Sequence, residues 1–415
     1  MTDPVVVTGI GAVSPNGIGT TAYTEALRRG ISGVKMISGF DTSKLKIRFA
    51  GQVADFVPQD HMDARDLRRV SRTAPLAVAA AREALTMARI AHPIADADQS
   101  EHIGMLLGTG GGGQEFVENQ YRIHYTGEGK SSPFTVPAGT PGNLSSEISI
   151  ALGLRGLSHV ITSGCASSTD AIGYACMHLQ SGRLPMMLVG GADAPIAEGI
   201  MLGFEAMRIL ARPQNPVSKS SRPFHADRDG FVLGEGSWML VLEKESHAKA
   251  RGAKPLAEIH GWGSTCDAYH RVQPSPDCTQ SAKAILLAIE QAGISPEHIE
   301  YVNLHGTGTK LNDVLETQTM KRALGDRAKA IPMSSVKSMI GHPQGACGAA
   351  GLVATILSLR AGFVHPTINL DQPDPDCDLD YTPHESRLTD AQWALCNCIA
   401  FGSKNSSLVV RVRRE

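Results

Sequence analysis

The chain has 415 residues, of which 42% are hydrophobic and 19% are charged, a composition that excludes an intrinsically disordered protein. The formal net charge of −2 at pH 7 gives no general electrostatic basis for binding nucleic acid or an anionic membrane. The length fits two domains or one large α/β unit.

Short apolar runs alternate with helical stretches rich in small residues, which is the pattern of βα units. The first apolar run lacks the basic region and long apolar core of a signal peptide, and no run reaches the ~18 apolar residues of a membrane span. We predict an α/β fold with strands at 5–7, 103–107, 159–162, 186–189 and 239–242, and helices at 73–85 and 281–291.

The charged stretch 244–255 is the predicted boundary between two units, 1–254 and 255–415. The polar stretch 119–143 is predicted to lie outside the core. The glycine-rich segment 9–14 resembles a dinucleotide-binding fingerprint, but Ser14 and the following Pro15 favour a turn instead. NAD binding is therefore not predicted.

Two glycine-rich turns lead into helices whose first turns carry only small side chains. The first helix follows Gly164 and ends near Leu179, and the second follows Gly341 and ends near Leu359. Small side chains allow two backbones to approach closely, which is typical of buried helices. The two segments indicate a duplicated α/β body with two central helices.

Eight cysteines occur without a CxxC pair, so we expect reduced thiols in a cytosolic protein, with no disulfide framework and no metal site. Cys165 follows an apolar strand at the expected start of a helix. The positive end of the helix dipole favours a thiolate there, and Gly164 permits a turn that exposes a nucleophile. The alternative is a buried, inert cysteine.

Two histidines and a lysine lie in the second half of the sequence. His305 stands between an apolar segment and a helix, and Lys337 and His342 precede the second small-residue helix. Each has an ordinary alternative role, as a hydrogen-bonded loop histidine or a surface lysine. Glu316 follows His305 on a predicted helix and would neutralise Lys337 if the two met. With Cys165, these groups would suffice for acyl transfer through a covalent thioester.

The sequence resembles the β-ketoacyl-acyl carrier protein synthases of the thiolase superfamily, above all the synthase II type and its polyketide relatives. Five motifs in order carry the resemblance: Gly164-Cys-Ala166, Phe224-His-Ala-Asp-Arg-Asp-Gly-Phe-Val-Leu-Gly-Glu-Gly236, Asp267-Ala-Tyr-His270, His305-Gly-Thr-Gly-Thr309 and Lys337-Ser-Met-Ile-Gly-His342. The resemblance implies a thiolase fold whose duplicated halves form a five-layer αβαβα body. It implies no cofactor beyond the phosphopantetheine carried by the acyl carrier protein.

The resemblance also implies a decarboxylative condensation and a role for each motif. Cys165 would accept the acyl chain, and the backbone N–H groups of Cys165 and Phe401 would form an oxyanion hole. His305 and His342 would bind the malonyl thioester carbonyl and stabilise the enolate that forms as CO₂ leaves.

Further residues acquire supporting roles from the same resemblance. Lys337 and Glu316 would set the electrostatics of the two histidines. Thr307 and Thr309 would bind the phosphopantetheine arm, and His270 would contact substrate.

Three departures from the family pattern concern substrate range. Gly111 stands where a bulky aliphatic residue commonly divides the acyl pocket, with Phe116 as an alternative filler of that space. Ser167-Ser168 replace the usual Thr-Gly, and the loop 400–405 departs from the usual Gly-Phe-Gly-Gly-Thr-Asn. These departures fit a polyketide or polyene synthase as readily as a fatty-acid synthase.

The implied partner is an acidic acyl carrier protein, which a local basic patch would bind. The predicted patch comprises one amphipathic segment and one loop residue: Arg65, Arg68, Arg69, Arg72 and Arg208. The alternative is a solvated helix face. The implied assembly is a homodimer or a heterodimer with a chain-length-factor-like subunit, with no nucleic-acid or membrane partner.

Two alternative functions are weighed against a ketosynthase. A non-catalytic chain-length factor usually lacks the nucleophile, whereas Cys165 and its partners are all present. A degradative thiolase would place a cysteine in the role that Lys337 and its neighbours occupy. Cys347 lies near them but is predicted to be a core residue.

Overall fold

The computed structural model describes residues 3–414, and its first half alternates strands and helices as expected. In chain order these are β1 (Val5–Ser14), β2 (Gly17–Ile18), α1 (Thr20–Arg29), β3 (Val34–Met36), β4 (Phe49–Gly51), α2 (Ala64–Leu67), α3 (Thr73–Met87), α4 (Ala97–Glu101), β5 (Ile103–Gly108), α5 (Gln114–Thr126), α6 (Thr135–Gly139), α7 (Asn143–Leu152), β6 (Ser158–Ile161), α8 (Ser167–Gln180), β7 (Met186–Asp193), α9 (Glu198–Met207), β8 (Gly236–Lys244) and α10 (Glu245–Ala250).

The second half repeats this alternation. Its elements are β9 (Ala257–Cys266), α11 (Thr279–Gln291), β10 (Tyr301–Asn303), α12 (Lys310–Leu324), β11 (Met333–Ser334), α13 (Lys337–Ile340), α14 (Cys347–Arg360), β12 (Phe363–Val364), β13 (Arg387–Leu388), β14 (Trp393–Ala400) and β15 (Lys404–Val412).

The main sheet consists of two parts with the same topology. The strand order is β6-β5-β7-β8-β1 in the first part and β11-β10-β14-β15-β9 in the second. In each part the first two pairings are parallel and the last two are antiparallel. The parts join where residues 5–7 of β1 pair with 257–259 of β9. This repeat confirms the predicted duplication.

The helices form three layers around the two parts of the sheet. Helices α3 and α7 pack on the outer face of the first part, and α11 and α12 cover the second. The predicted central helices, α8 and α14, lie between the two parts and pack against each other. The five-layer αβαβα arrangement is therefore confirmed.

The segment 9–14 is strand, and the prediction of a turn there is wrong. The turn begins only at Pro15, after β1 ends at Ser14. The glycines are required by close packing, because a Cβ at Gly9 or Gly11 would lie about 2 Å from a carbonyl oxygen of α3. Glycines 261 and 263 of β9 meet α11 at the same short distance, so the duplicated halves share this contact.

Two further expectations concern the exposed segments. The stretch 119–143 lies largely outside the core, but it includes most of α5 and all of α6, and Gln120 is the buried residue of α5. The stretch 244–255 connects β8 to β9 through α10.

Within residues 3–414, none of the helices combines the length and apolar character needed to cross a bilayer.

Candidate active site

Cys165 lies in the tight turn that connects β6 to α8. Gly164 adopts the left-handed conformation, with φ of 68°, as the predicted sharp turn requires. A Cβ on Gly164 would lie 3.2 Å from the carbonyl oxygen of Phe401. The turn is therefore packed directly against the loop after β14, and the Cys165 side chain is only 6% exposed at the floor of a cavity.

The thiol of Cys165 is protonated in the resting protein. Burial raises its pKa to about 11, although the backbone N–H of Phe401 and the charge of Lys337 oppose this shift. Desolvation of the charged sulfur thus opposes the thiolate that the helix N-terminus was expected to favour. Deprotonation must accompany the reaction.

His305 and His342 line the same cavity from the second half of the chain. His305 follows β10 and His342 follows α13, and both are buried. Their rings are 5.6 Å apart and nearly perpendicular. One ring nitrogen of each histidine and the sulfur of Cys165 all lie within 4.8 Å of one another. The duplicated fold thus brings together three residues that are far apart in sequence.

Both imidazoles carry their proton on Nε2. The Lys337 ammonium, which is a donor only, lies 3.4 Å from His305 Nδ1, and the N–H of Gln344 donates to His342 Nδ1 over 3.1 Å. A nitrogen that accepts a hydrogen bond is unprotonated, so the proton is on the other nitrogen. Burial lowers the pKa of His342 to about 3 and that of His305 well below its usual value, with the charge of Lys337 contributing to both.

This protonation state disfavours a metal ion between Cys165 and the histidines, although their spacing resembles that of metal ligands. A metal-bound imidazole nitrogen needs a free lone pair. On Nε2 the lone pair is replaced by N–H. Moving the proton to Nδ1 of His342 would set it against the N–H of Gln344.

Glu316 and Lys337 both fix His305, but through different contacts. The Glu316 carboxylate accepts hydrogen bonds of 2.7 Å from the backbone N–H of His305, the N–H of Gly306 and the Asn397 amide. Lys337 Nζ donates to the carbonyl oxygen of His305 over 2.6 Å. The two side chains hold opposite sides of the His305 main chain and do not form the direct ion pair that the sequence suggested.

The cavity above Cys165 has a volume of about 510 Å³. Thr307 and Thr309 line its wall, and their hydroxyl groups are hydrogen-bonded to each other over 2.9 Å. Phe401 and the exposed Arg208 also line it. The structure thus places the threonines and the aromatic loop residue predicted from sequence beside the nucleophile.

Three other predicted substrate contacts lie elsewhere in the described chain. Gly111 and Phe116 do not line the cavity at Cys165; the Gly111 N–H donates to the buried Asp193 over 3.1 Å. His270 is likewise not a cavity residue, and its backbone carbonyl accepts a 2.8 Å hydrogen bond from Ser403. The main chain of His270 therefore anchors the loop after Phe401, and a contact of its side chain with substrate stays a prediction.

The predicted basic patch does not form one amphipathic surface. Helix α2 ends at Leu67, and Arg72 turns inward to bind Glu235 over 2.8 Å. Arg69 lies 3.6 Å from Asp66, while Arg65 and Arg68 are exposed. A remote carboxylate therefore removes Arg72 from the patch, and carrier docking at the exposed arginines stays a prediction.

Two cysteines beside the site were not predicted to contact it. The Cys398 thiol donates to the carbonyl oxygen of Cys165 over 3.0 Å and lies 3.4 Å from His305 Nδ1. Cys347 is buried as predicted, but its sulfur lies 3.5 Å from His342 Nδ1. The sequence could have indicated that Cys398 lies near the site, because Cys398 precedes the predicted site residue Phe401 by three positions in an apolar strand.

Comparison with known proteins identifies the family of this arrangement. The protein-family model described as Beta-ketoacyl synthase, N-terminal domain, matches residues 2–248 of the sequence. The family model of the corresponding C-terminal domain matches residues 256–371. The chain belongs to the beta-ketoacyl synthase family. It is thus a ketosynthase-type acyltransferase, as the motifs indicated.

Relatives of this β-ketoacyl synthase match it over nearly the whole chain. The 3-oxoacyl-[acyl-carrier-protein] synthase 2 of Synechocystis sp. is 40% identical and is matched over 98% of this chain and 97% of its own. The ishigamide ketosynthase/chain length factor superposes over 100% of both chains with a TM-score of 0.91 and 32% identity. A type II PKS acyl-carrier protein in complex with its ketosynthase bound to the hexaketide provides a third match, with a TM-score of 0.89, 30% identity and 100% coverage of both chains.

Proposed function

We propose that this β-ketoacyl synthase condenses malonyl-acyl carrier protein with an acyl chain held as a thioester on Cys165, releasing CO₂. The observation that carries the proposal is the convergence of the Cys165 sulfur and two neutral histidines within 4.8 Å on one cavity. The name of the Synechocystis relative supports acyl carrier protein as the carrier of both substrates.

The first step in this proposal is acyl transfer to Cys165. The sulfur attacks the incoming thioester carbonyl, and the carrier thiol leaves with the proton. The backbone N–H groups of Phe401 and Cys165 point at the sulfur, so a carbonyl oxygen bonded beside it would be within their reach. Such donors stabilise the negative oxygen of the transition state by about 3 kcal/mol each.

The second step is decarboxylation of the malonyl group beside the two histidines. As the C–C bond to the carboxylate breaks, its electron pair forms an enolate, whose negative charge develops on the thioester oxygen. The Nε2–H groups of His305 and His342 would donate to that oxygen, and Lys337 adds positive charge nearby. The enolate carbon then attacks the Cys165 thioester, and the thiolate leaves.

Thr307 and Thr309 are proposed to bind the phosphopantetheine arm. Both line the cavity that contains Cys165, and their hydroxyl groups provide donors and acceptors for the amides of the arm. The proposed role of Gly111 in setting acyl chain length stays a prediction, since Gly111 does not line this cavity.

The decisive test replaces Cys165 with alanine. We expect Cys165→Ala to lose condensation and covalent acylation while remaining folded, with a stability cost of ~1–2 kcal/mol for the lost sulfur. Cys176→Ala is a matched control, because Cys176 is a buried cysteine on α8 that does not line the cavity. Condensation by Cys165→Ala at a rate near that of the unmodified protein would reject the proposal.

We propose an acyl carrier protein as the docking partner and Arg208 as a contact. Arg208 is exposed at the cavity beside Lys310, where a positive charge attracts an acidic carrier. Arg208→Glu should raise KM for acyl carrier protein several-fold in low salt and leave acylation by a small acyl thioester unchanged. Lys329→Glu, exposed and away from the cavity, is the control. A KM for Arg208→Glu equal to that of the unmodified protein would remove Arg208 from the interface.

The proposed pathway is fatty-acid or polyketide synthesis, since relatives of both kinds match the chain. We further propose that the protein works as a dimer, with a second copy or a chain-length-factor-like subunit. A chain-length factor without activity is disfavoured, because the nucleophile, both histidines and Lys337 are present and in mutual contact range.

A further inference from the structure

A cluster of three thiols surrounds the reaction centre. Cys165, Cys347 and Cys398 belong to one small buried group, together with two alanines. Cys398 contacts the nucleophile's own residue, since its S–H donates to the Cys165 carbonyl oxygen over 3.0 Å. The proposed condensation uses only the Cys165 sulfur, so the thiol of Cys398 has no assigned role.

We propose that Cys398 is a resolving thiol, which forms a reversible disulfide with Cys165 when a hydroperoxide oxidises the nucleophile. The disulfide blocks acylation and keeps Cys165 from irreversible oxidation. The inference rests on the proposed function only in taking Cys165 as the thiol that reagents reach through the cavity. It requires the side chains of residues 165 and 398 to turn toward each other.

The chemistry balances with hydrogen peroxide as the oxidant. The Cys165 sulfur attacks one peroxide oxygen, the O–O bond breaks, and water leaves with the thiol proton, which gives a sulfenic acid. The Cys398 sulfur then attacks the Cys165 sulfur, the S–O bond breaks, and a second water leaves with the proton of Cys398. A dithiol reverses the reaction by exchange.

Neighbouring cysteines are less well placed to resolve Cys165. Cys347 belongs to the same cluster, but its sulfur contacts His342 Nδ1 over 3.5 Å. The thiol of Cys398, by contrast, is hydrogen-bonded to residue 165 itself. Cys396 lies on β14 two positions before Cys398, and its sulfur contacts the Thr355 hydroxyl over 3.5 Å. Cys266 is the exposed cysteine among residues 3–414, so it is prone to cross-link separate molecules.

The experiment uses the full chain with Cys266→Ser as the parent protein. The parent is treated briefly with hydrogen peroxide, free thiols are alkylated without reductant, and the digest is analysed by mass spectrometry. We expect a cross-linked peptide pair containing Cys165 and Cys398, and a loss of activity that dithiothreitol reverses. In Cys398→Ser, peroxide should instead add two oxygens to Cys165, which gives the sulfinic acid. The fraction of the starting activity that dithiothreitol recovers should then be about fivefold lower than in the parent protein. Cys396→Ser should behave as the parent does.

Oxidation of Cys165 in the parent without a cross-link, or with a cross-link to Cys347, would overturn the inference. If Cys398→Ser fails to fold, the cross-link map of the parent decides alone. The map needs no condensation assay. A protein that forms the Cys165–Cys398 bond but does not condense substrates would therefore contradict the proposed function and support this inference.

Discussion

Burial keeps Cys165 and the two histidines uncharged over a wider pH range than free side chains would be. The thiol is held protonated with a pKa of about 11, while His342 is held neutral because its pKa is about 3. Neutral donors suit a reaction in which negative charge appears only in the transition state. Unlike a cysteine protease, the resting site holds no ion pair between a thiolate and an imidazolium.

The raised pKa predicts how Cys165 reacts with a neutral alkylating reagent. Only the thiolate reacts, so below the pKa its rate should rise about tenfold per pH unit. With iodoacetamide, we expect this rise from pH 6 to 9 without a plateau, followed by mass spectrometry of the Cys165 peptide. The same peptide in urea, where the thiol regains a pKa of about 8.5, is the control. A plateau below pH 9 in the folded protein would contradict the raised pKa.

The residue types of the site were predictable, but their surroundings were not. Cys165, His305 and His342 were found because a nucleophile and two donors each followed a strand or turn. The raised pKa of Cys165 was missed, because the burial of its thiol depends on Phe401 and on the second half of the chain. Cys398 was missed because strand alternation shows which face a residue occupies but does not show which distant turn packs there.

At the scale of elements, the crossing of α8 and α14 positions the two halves of the site. Cys165 precedes α8, and His342 precedes α14. A Cβ at Gly348 would lie 2.0 Å from the Thr169 hydroxyl oxygen and 2.7 Å from its backbone nitrogen. The small residues that predicted both helices in the sequence are therefore required by this contact.

Gly348→Ala should separate the two helices and destabilise the protein by ~1–3 kcal/mol, as measured by urea unfolding. The rate of condensation should fall as well, because Cys165 and His342 move apart. Gly203→Ala is the matched control, since Gly203 lies in α9 with open space around its Cα. There alanine should be neutral or stabilising, as expected in a helix. Equal stabilities for the two variants would show that the crossing tolerates a methyl group.

Burial keeps several histidines neutral, His305, His342 and His365 among them, and this sets the response of the whole fold to acid. An unfolded histidine binds a proton below a pH of about 6.5, whereas His342 and His365 do so only near 3 and 4 because they are buried. The pKa of His305 is lowered in the same direction. The unfolded state therefore binds more protons in acid. The contribution of these histidines to the free energy of unfolding is fully present above a pH of about 6.5 and is lost as the pH falls below it.

Each of these histidines should therefore cost ~2 kcal/mol of stability between pH 7 and pH 5. Urea unfolding at both pH values measures the loss. His365 contacts Tyr301 and Asn303 away from the cavity, so His365→Asn should be less stable at pH 7 but lose ~2 kcal/mol less on acidification. The exposed His102→Asn is the control. An unchanged loss in His365→Asn would show that His365 is not neutral in the folded protein.

The architecture was predictable from repeated local patterns, since both halves place strands, glycine turns and small-residue helices in the same order. The inward turn of Arg72 out of the basic patch was not predictable, because its partner Glu235 immediately precedes β8 and is 163 positions away in sequence. Local pattern thus predicts elements, and contacts between distant elements decide which side chains remain at the surface.

The junction between the two halves has a consequence for how the protein is made. A growing chain leaves the ribosome N-terminus first, and its domains fold in that order. The first part of the sheet is complete when β8 has emerged, at a time when the chain carries Cys165 but neither histidine. Strand β9 emerges next and pairs with the free edge of β1, so the finished first part is a template on which the second is assembled. The nascent nucleophile thus lacks its catalytic partners until translation has passed His342.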